Sequence, residues 1–452
     1  MKVEKEVPIE SFYGLKVKPI FRHFLSESFA FKMVCAYLFF EYYRPQSIYS
    51  WLDFIPWTQL AVVGAILGFV FGNERKWVSS PINKGLILWF IFILLSSWHA
   101  IEPDVSFSVL KNSYSWIIIY FIIVNIVNTR RRFLIFIFIF LLTSFKLSFS
   151  LALTWAGRGF SFTTWGLMGP PGFFQNSGEL AIQMIVFWPI AWAIAKSFRN
   201  HLPKWKYYIL TAMPVTAMMV VLGSSSRGGQ LALIFQILFK NLKFVLRLKV
   251  IASVLLVGAS IWYLLPPEQK MRFENIGQDV SSKQRILYWE NGFKMMQSHP
   301  WLGVGYYNYI PYYEKYYPED MLYSRAELPH NIFIQVGADL GYPALVLYLS
   351  MIIYVYLKTK ALKKSLRSQG KDPLFVNILD GLNISLVGFV VAGQFVSVVY
   401  YPFLWIHFAI FVSCENIIIK EMVAGEERAR KAVRFAGAHG VEACDRLQRP
   451  EP

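Results

Sequence analysis

Long apolar runs alternate along this chain with short polar segments. Stretches such as 85–97 (GLILWFIFILLSS), 116–127 (WIIIYFIIVNIV) and 133–143 (FLIFIFIFLLT) carry no charge, and about 20 apolar residues cross a bilayer as a helix. Read this way, the pattern predicts spans near 27–43, 57–72, 85–98, 114–128, 133–154, 179–196, 207–223, 228–241, 248–265, 331–357, 376–396 and 401–419. The expected fold class is an all-α polytopic membrane protein of about 12 transmembrane helices. A membrane barrel would show short alternating strands instead.

The longest break is 266–330, which opens with Pro266 and Pro267 and is rich in Tyr and Trp. The chain then divides into an N-terminal bundle (1–265), a long loop with short helices (266–330), C-terminal membrane helices (331–420) and a charged tail (421–452). We read the tail as disordered or a short surface helix. Within the loop, 281–297 (SSKQRILYWENGFKMMQ) predicts a helix capped by serine, with Arg285, Trp289 and Gly292/Phe293 on one face. The stretch 298–305 (SHPWLGVG) predicts a sharp turn with Trp301 buried. Tyr-rich 306–323 predicts an aromatic surface at the membrane interface.

Charge orients these elements. The net charge is +17, which taken alone suggests nucleic acid. Yet most of the 45 Lys and Arg fall in alternate segments: 1–26, 73–84, 129–132, 197–206, 242–247, 358–375 and 420–452. Basic loops face the cytoplasm, so both termini are expected inside and the long loop outside. The charge then reports topology and contact with anionic membrane lipids, and no nucleic-acid partner is expected. Cys35, Cys414 and Cys444 form no disulfide framework or metal cluster. No cleavable signal peptide is expected, and no nucleotide-binding or metal-hydrolase motif is present.

Against that topology, a few cations fall on the poorly charged side. Arg227 lies in the turn 223–230 (GSSSRGGQ), where backbone N–H groups and the following helix N-terminus suit an anion. Arg285 could grip a phosphate with two N–H groups. His330 begins 329–345 (PHNIFIQVGADLGYPAL), and Asn331, Gln335 and Asp339 share one helix face beyond it. A helix cap and polar packing seam explain that run equally well. Arg158 could add positive potential, and Lys146, within a span, either snorkels or faces a cavity. Glu179 reads as a cap and His299 as structural.

In order along the chain stand an SRG turn, R-x-x-x-W followed by HPxLGVG, and a PHN–helix–LG segment. Over roughly 220–350 this resembles the O-antigen ligase and polymerase superfamily of bacterial envelope glycan assembly; 41–58 (EYYRPQSIYSWLDFIPWT) resembles it less specifically. The resemblance implies a fold related to the GT-C glycosyltransferases and a metal-independent enzyme without cofactor at the periplasmic face of the inner membrane. Its donor would be an undecaprenyl-diphosphate-linked glycan. Arg227 and Arg285 would bind the diphosphate, His330 would be the base, and Asn331, Gln335, Arg158 and Lys146 would line the substrate site. A ligase using lipid A-core is the favoured subtype. A polymerase, a protein O-oligosaccharyltransferase, a lipid-linked glycan transporter and a non-catalytic scaffold remain alternatives.

Overall fold

The computed structural model describes residues 7–72, 77–163, 165–241, 263, 270, 279–370 and 372–447. Its main helices are α1 (Val17–Ser26), α2 (Phe29–Tyr42), α3 (Trp57–Phe71), α4 (Pro81–Trp98), α5 (Pro103–Ile126), α6 (Arg130–Gly157), α7 (Ser177–Phe198), α8 (Lys204–Gly223), α9 (Arg227–Lys240), α10 (Val280–Ser298), α11 (Tyr309–Tyr316), α12 (Ile332–Ser368), α13 (Pro373–Ala392) and α14 (Pro402–Leu447). The chain is an all-α polytopic membrane protein. Nine helices among the described residues are long and apolar enough to cross a membrane. Two further expected spans, at 27–43 and 228–241, are helices of 14 residues each. The expected span at 248–265 and the start of the loop at 266–278 lie outside the described residues.

Polar residues punctuate the apolar runs for a physical reason. Backbone N–H groups freed at a helix start need acceptors, and lipid supplies none. Side chains of Ser80, Thr129, Asn176, Ser226, Asp279, Asn331 and Asp372 accept from the first-turn N–H groups of α4, α6, α7, α9, α10, α12 and α13.

At the centre, α7 and α13 pack along one another. Gly381 meets the Pro189 carbonyl and Ala193 at this contact, so any side chain there would push the helices apart. Gln236 of α9 is fully buried in the same core. It accepts from the Trp188 indole at 2.6 Å and donates to the carbonyls of Ile185 (3.0 Å) and Ile384 (2.8 Å). Gln236→Leu is expected to strand the Trp188 N–H at a cost of about 1–3 kcal/mol. A lower thermal midpoint of the purified protein would register it; an unchanged midpoint would mean the network adds nothing.

One end of the bundle is pinned by charge. Arg130 pairs with Asp372 and Glu421, and the Arg132 guanidinium meets Glu27 at 2.6 Å. The basic run at 130–132 therefore clamps helix ends together as well as marking a side of the membrane. Past Glu421, α14 continues as helix to Leu447, so the tail is not disordered over that range.

At the other end, α12 is broken. Gly341 has φ +83°, outside the helical region. The turn 298–305 fills the break: Val304 N–H donates to the Ala338 carbonyl (2.8 Å), Gly305 N–H to Asp339 (3.3 Å), and Tyr342 N–H to Pro300 (2.8 Å). Gly303 (φ +66°), against the Ala338–Asp339 backbone, and Gly305 (φ +123°), against Ala100, adopt positive-φ conformations that favour glycine. The HPxLGVG segment is thus a latch across a split helix. Trp301 is not buried as expected but 74% exposed, because the latch holds the turn by its backbone and the indole projects outward.

The Tyr-rich stretch also departs from expectation. Tyr306, Tyr309 and Tyr313 are fully buried; Tyr309 and Tyr313, with Tyr288, Met295 and Met296, build a second small core beneath the loop. Their hydroxyls have protein partners: Tyr309 donates to the Tyr288 carbonyl (2.6 Å), and Tyr306 bonds Ser113. Much of the stretch thus folds inward, on an aromatic core completed by Ile334 and Ala338 of α12, while Tyr316 and Tyr323 remain exposed.

Candidate functional site

The N-termini of α7, α9 and α12 meet at one end of the bundle, tied by the segment 393–401, which we call the strap. The Gly393 carbonyl accepts from Ile332 N–H (2.8 Å), and Gln394 Oε1 accepts from the Asn331 amide (3.1 Å). Phe395 lies against Gly228 and Val396 against Gly178. Ser397 Oγ accepts from His330 N–H (2.8 Å). The hydroxyl of Tyr400 donates to Asp339 (3.0 Å), that of Tyr401 to Glu179 (2.8 Å). Helix N-termini carry positive potential, so this arrangement concentrates it without a metal.

Arg227 is the first residue of α9, after a left-handed Ser225 (φ +56°). Gly228 and Gly229 follow because a side chain at either would overlap Phe395 or Ala181. Both terminal nitrogens of Arg227 approach Asp279 Oδ2 at 3.3 Å. Asp279, not Ser281 or Ser282, caps α10, accepting Ser282 N–H at 2.7 Å. One carboxylate therefore ties the SRG turn to the helix that carries Arg285. Burial acts to raise the Asp279 pKa, but the Ser282 hydrogen bonds and the Arg227 guanidinium outweigh it and hold it below the usual carboxylate value.

Arg285 is brought close to Arg227. Burial first, and then the Arg227 charge, lower its pKa from the ordinary arginine value; Glu327, Asp279 and Tyr323 offset this in part. Among the described residues its guanidinium makes no hydrogen bond or ion pair. Farther along the same face of α10, the Trp289 indole donates to the Pro329 carbonyl (2.8 Å), beside His330. Phe293 is exposed, outside this arrangement.

His330 adopts φ +51°, a strained conformation for a residue with a side chain. Its Nε2 lies 3.1 Å from Glu327 Oε2. The hydrogen bond from His330 is the largest cause of a depressed Glu327 pKa; burial opposes it, and the fields of His330 and Arg285 assist. Asp279 thus contacts Arg227 and Glu327 contacts His330, and the fields of both carboxylates reach Arg285.

The other candidates are placed differently. Asn331 caps α12 through Phe333 N–H (2.9 Å) and Ile334 N–H (3.2 Å), so its amide positions the helix. Gln335 is 1% exposed and Asp339 fully buried, which leaves both inside the packing. Arg158, just past α6, is exposed. The Lys146 ammonium sits 4.8 Å over the Tyr43 ring. Neither of these two has a described contact to Arg227, Arg285 or His330. His299 packs edge-on against Tyr312, in keeping with a structural role. No group of His, Cys, Asp and Glu suited to a metal occurs among the described residues.

Residues 212–349 match the family model described as O-antigen ligase. That segment belongs to the O-antigen ligase superfamily. It contains the SRG turn, Arg285, the 298–305 latch and His330. No curated protein matches the chain. Over that segment the chain is similar to membrane glycosyltransferases of the O-antigen ligase and polymerase type. Sequence reading missed Asp279, Glu327 and the strap. Asp279 offered a signal, an acid two residues before SSKQ where a cap belongs. The strap offered none, because its role depends on which helix ends it touches.

Proposed function

We propose that the protein transfers a glycan from undecaprenyl diphosphate to an acceptor hydroxyl at the periplasmic face of the inner membrane, with lipid A-core as acceptor. Supporting this is one observation: within the segment that matches the ligase family, Arg227 is paired with Asp279 and His330 with Glu327, and the buried Arg285 lies in the fields of Arg227, Glu327 and Asp279. In this reading the guanidinium groups bind the diphosphate. His330 takes the proton of the acceptor hydroxyl as its oxygen attacks the anomeric carbon. The bond from that carbon to the phosphate oxygen breaks, and undecaprenyl diphosphate leaves with the electron pair. Its growing charge is stabilised by fixed cations without a metal, and a neutral imidazole can accept the proton near neutral pH.

The test is transfer by the purified protein in liposomes from a polyprenyl-diphosphate glycan, with chelator present. Lipid A-core, a second lipid-linked repeat and a Ser/Thr peptide are offered in separate reactions. Glycosylated lipid A-core is the expected product. Transfer only to the lipid-linked repeat or the peptide would replace the ligase with a polymerase or a protein glycosyltransferase. Failure with every acceptor would turn the reading toward transport.

A further inference from the structure

Resting on the proposed reaction, one more role emerges from the surroundings of His330. We propose that Glu327 is a positioning residue: its carboxylate accepts a hydrogen bond from Nε2–H of His330 and thereby leaves Nδ1 as the atom that takes the acceptor proton.

The 3.1 Å contact between Nε2 and Oε2 is the starting point. An ionised carboxylate can only accept, and the depressed pKa of Glu327 keeps it ionised. The ring proton therefore sits on Nε2, and the neutral imidazole presents a bare Nδ1. Among the described residues Nδ1 makes no hydrogen bond.

A surface Glu–His pair is usually worth little, and the Glu327 side chain is 58% exposed. The backbone around this pair argues for more than that. Glu327 N–H donates to the hydroxyl of buried Tyr288 (2.8 Å), the Pro329 carbonyl accepts from Trp289, and His330 N–H is held by Ser397. The loop core thus grips one side of 327–330 and the strap the other, fixing the left-handed conformation of His330. With the backbone fixed, the imidazole can still turn about its side-chain bonds, and Glu327 is the group that stops it. Its carboxylate also lies in the field of Arg285, which links the base to the cation at the leaving group.

The experiment uses the full chain in liposomes with polyprenyl-diphosphate glycan and whichever acceptor the wild type uses. Glu327→Ala, which removes the acceptor, is expected to lower kcat at least tenfold with KM for both substrates within about twofold. Glu327→Asp should recover part of the loss. Independently of turnover, protein labelled with 15N-histidine should show the His330 ring protonated at Nε2, the signal being assigned by its loss in His330→Gln. Glu327→Ala should erase that preference. Wild-type kcat in Glu327→Ala, or a proton on Nδ1 in the wild type, would overturn the assignment. If no acceptor is glycosylated, the proposed reaction fails, while the ring measurement still decides whether Glu327 fixes the imidazole.

Discussion

His330→Ala is expected to lower the turnover of glycan transfer by about two to four orders of magnitude, the range a positioned general base contributes. Donor binding should be nearly unchanged, since in the proposed reaction the diphosphate would be held by Arg227 and Arg285. The side chain is partly exposed and the backbone at His330 is held by Ser397 independently of the ring, so the variant should remain folded. His330→Asn serves as a control, because asparagine tolerates the left-handed backbone at φ +51° better than most residues and yet cannot act as a base. Equal loss in both variants, with intact donor retention by the purified protein, is the predicted pattern. Transfer by His330→Asn at more than a tenth of the wild-type rate would place the base elsewhere.

The second large effect concerns Arg285. Arg285→Ala should reduce kcat/KM for the donor by about 10²–10³, similar to removing one donor from a charge-stabilising site. Lysine should restore only part, since a compact ammonium cannot hold two phosphate oxygens in the geometry of a guanidinium. Arg227→Ala is harder to interpret, because it removes a cation and also unties Asp279 from the turn. Asp279→Asn separates the two: it keeps an oxygen that can cap α10 while weakening the tie. A double replacement of Arg227 and Arg285 should cost less than the product of the single losses, as for neighbours sharing one ligand. Independent, multiplicative losses would mean that the two arginines serve different anions. Rates would be measured in liposomes at varied donor concentration.

How much of this was legible in the sequence follows from the range of the interactions. Apolar period and capping residues act within one helix, so the spans around α4 to α8 and α12 to α14 could be read from the chain, and the spacing of Arg285 and Trp289 placed both on one face. The motif order at 223–230, 281–305 and 329–341 carried the family. Tyr309 and Tyr313 were misjudged because tyrosine suits both an interface and a small hydrogen-bonded core. Only the fold supplies the partners, Tyr288 and Asn291, that choose between them. Trp301 failed for a related reason. Its neighbours Gly303 and Gly305 anchor the turn through backbone, a contact that composition does not record. Glu327 stood in plain view three residues before His330, but nothing local says that Tyr288 and Ser397 hold the intervening backbone.

The strap has a consequence for engineering. Each of its residues answers to a different part of the chain: Gly393 to α12, Phe395 to the SRG turn, Val396 to the start of α7, Ser397 to His330. Exchanging the loop 279–330 between relatives would keep its tyrosines together but would have to match Ile334 and Ala338 of α12, which complete their core. Exchanging 393–401 alone would mismatch three helix ends at once. Recombination boundaries therefore belong beyond α14's first turn and not inside α10, and grafts that carry the strap should also carry residues 176–178 and 226–229.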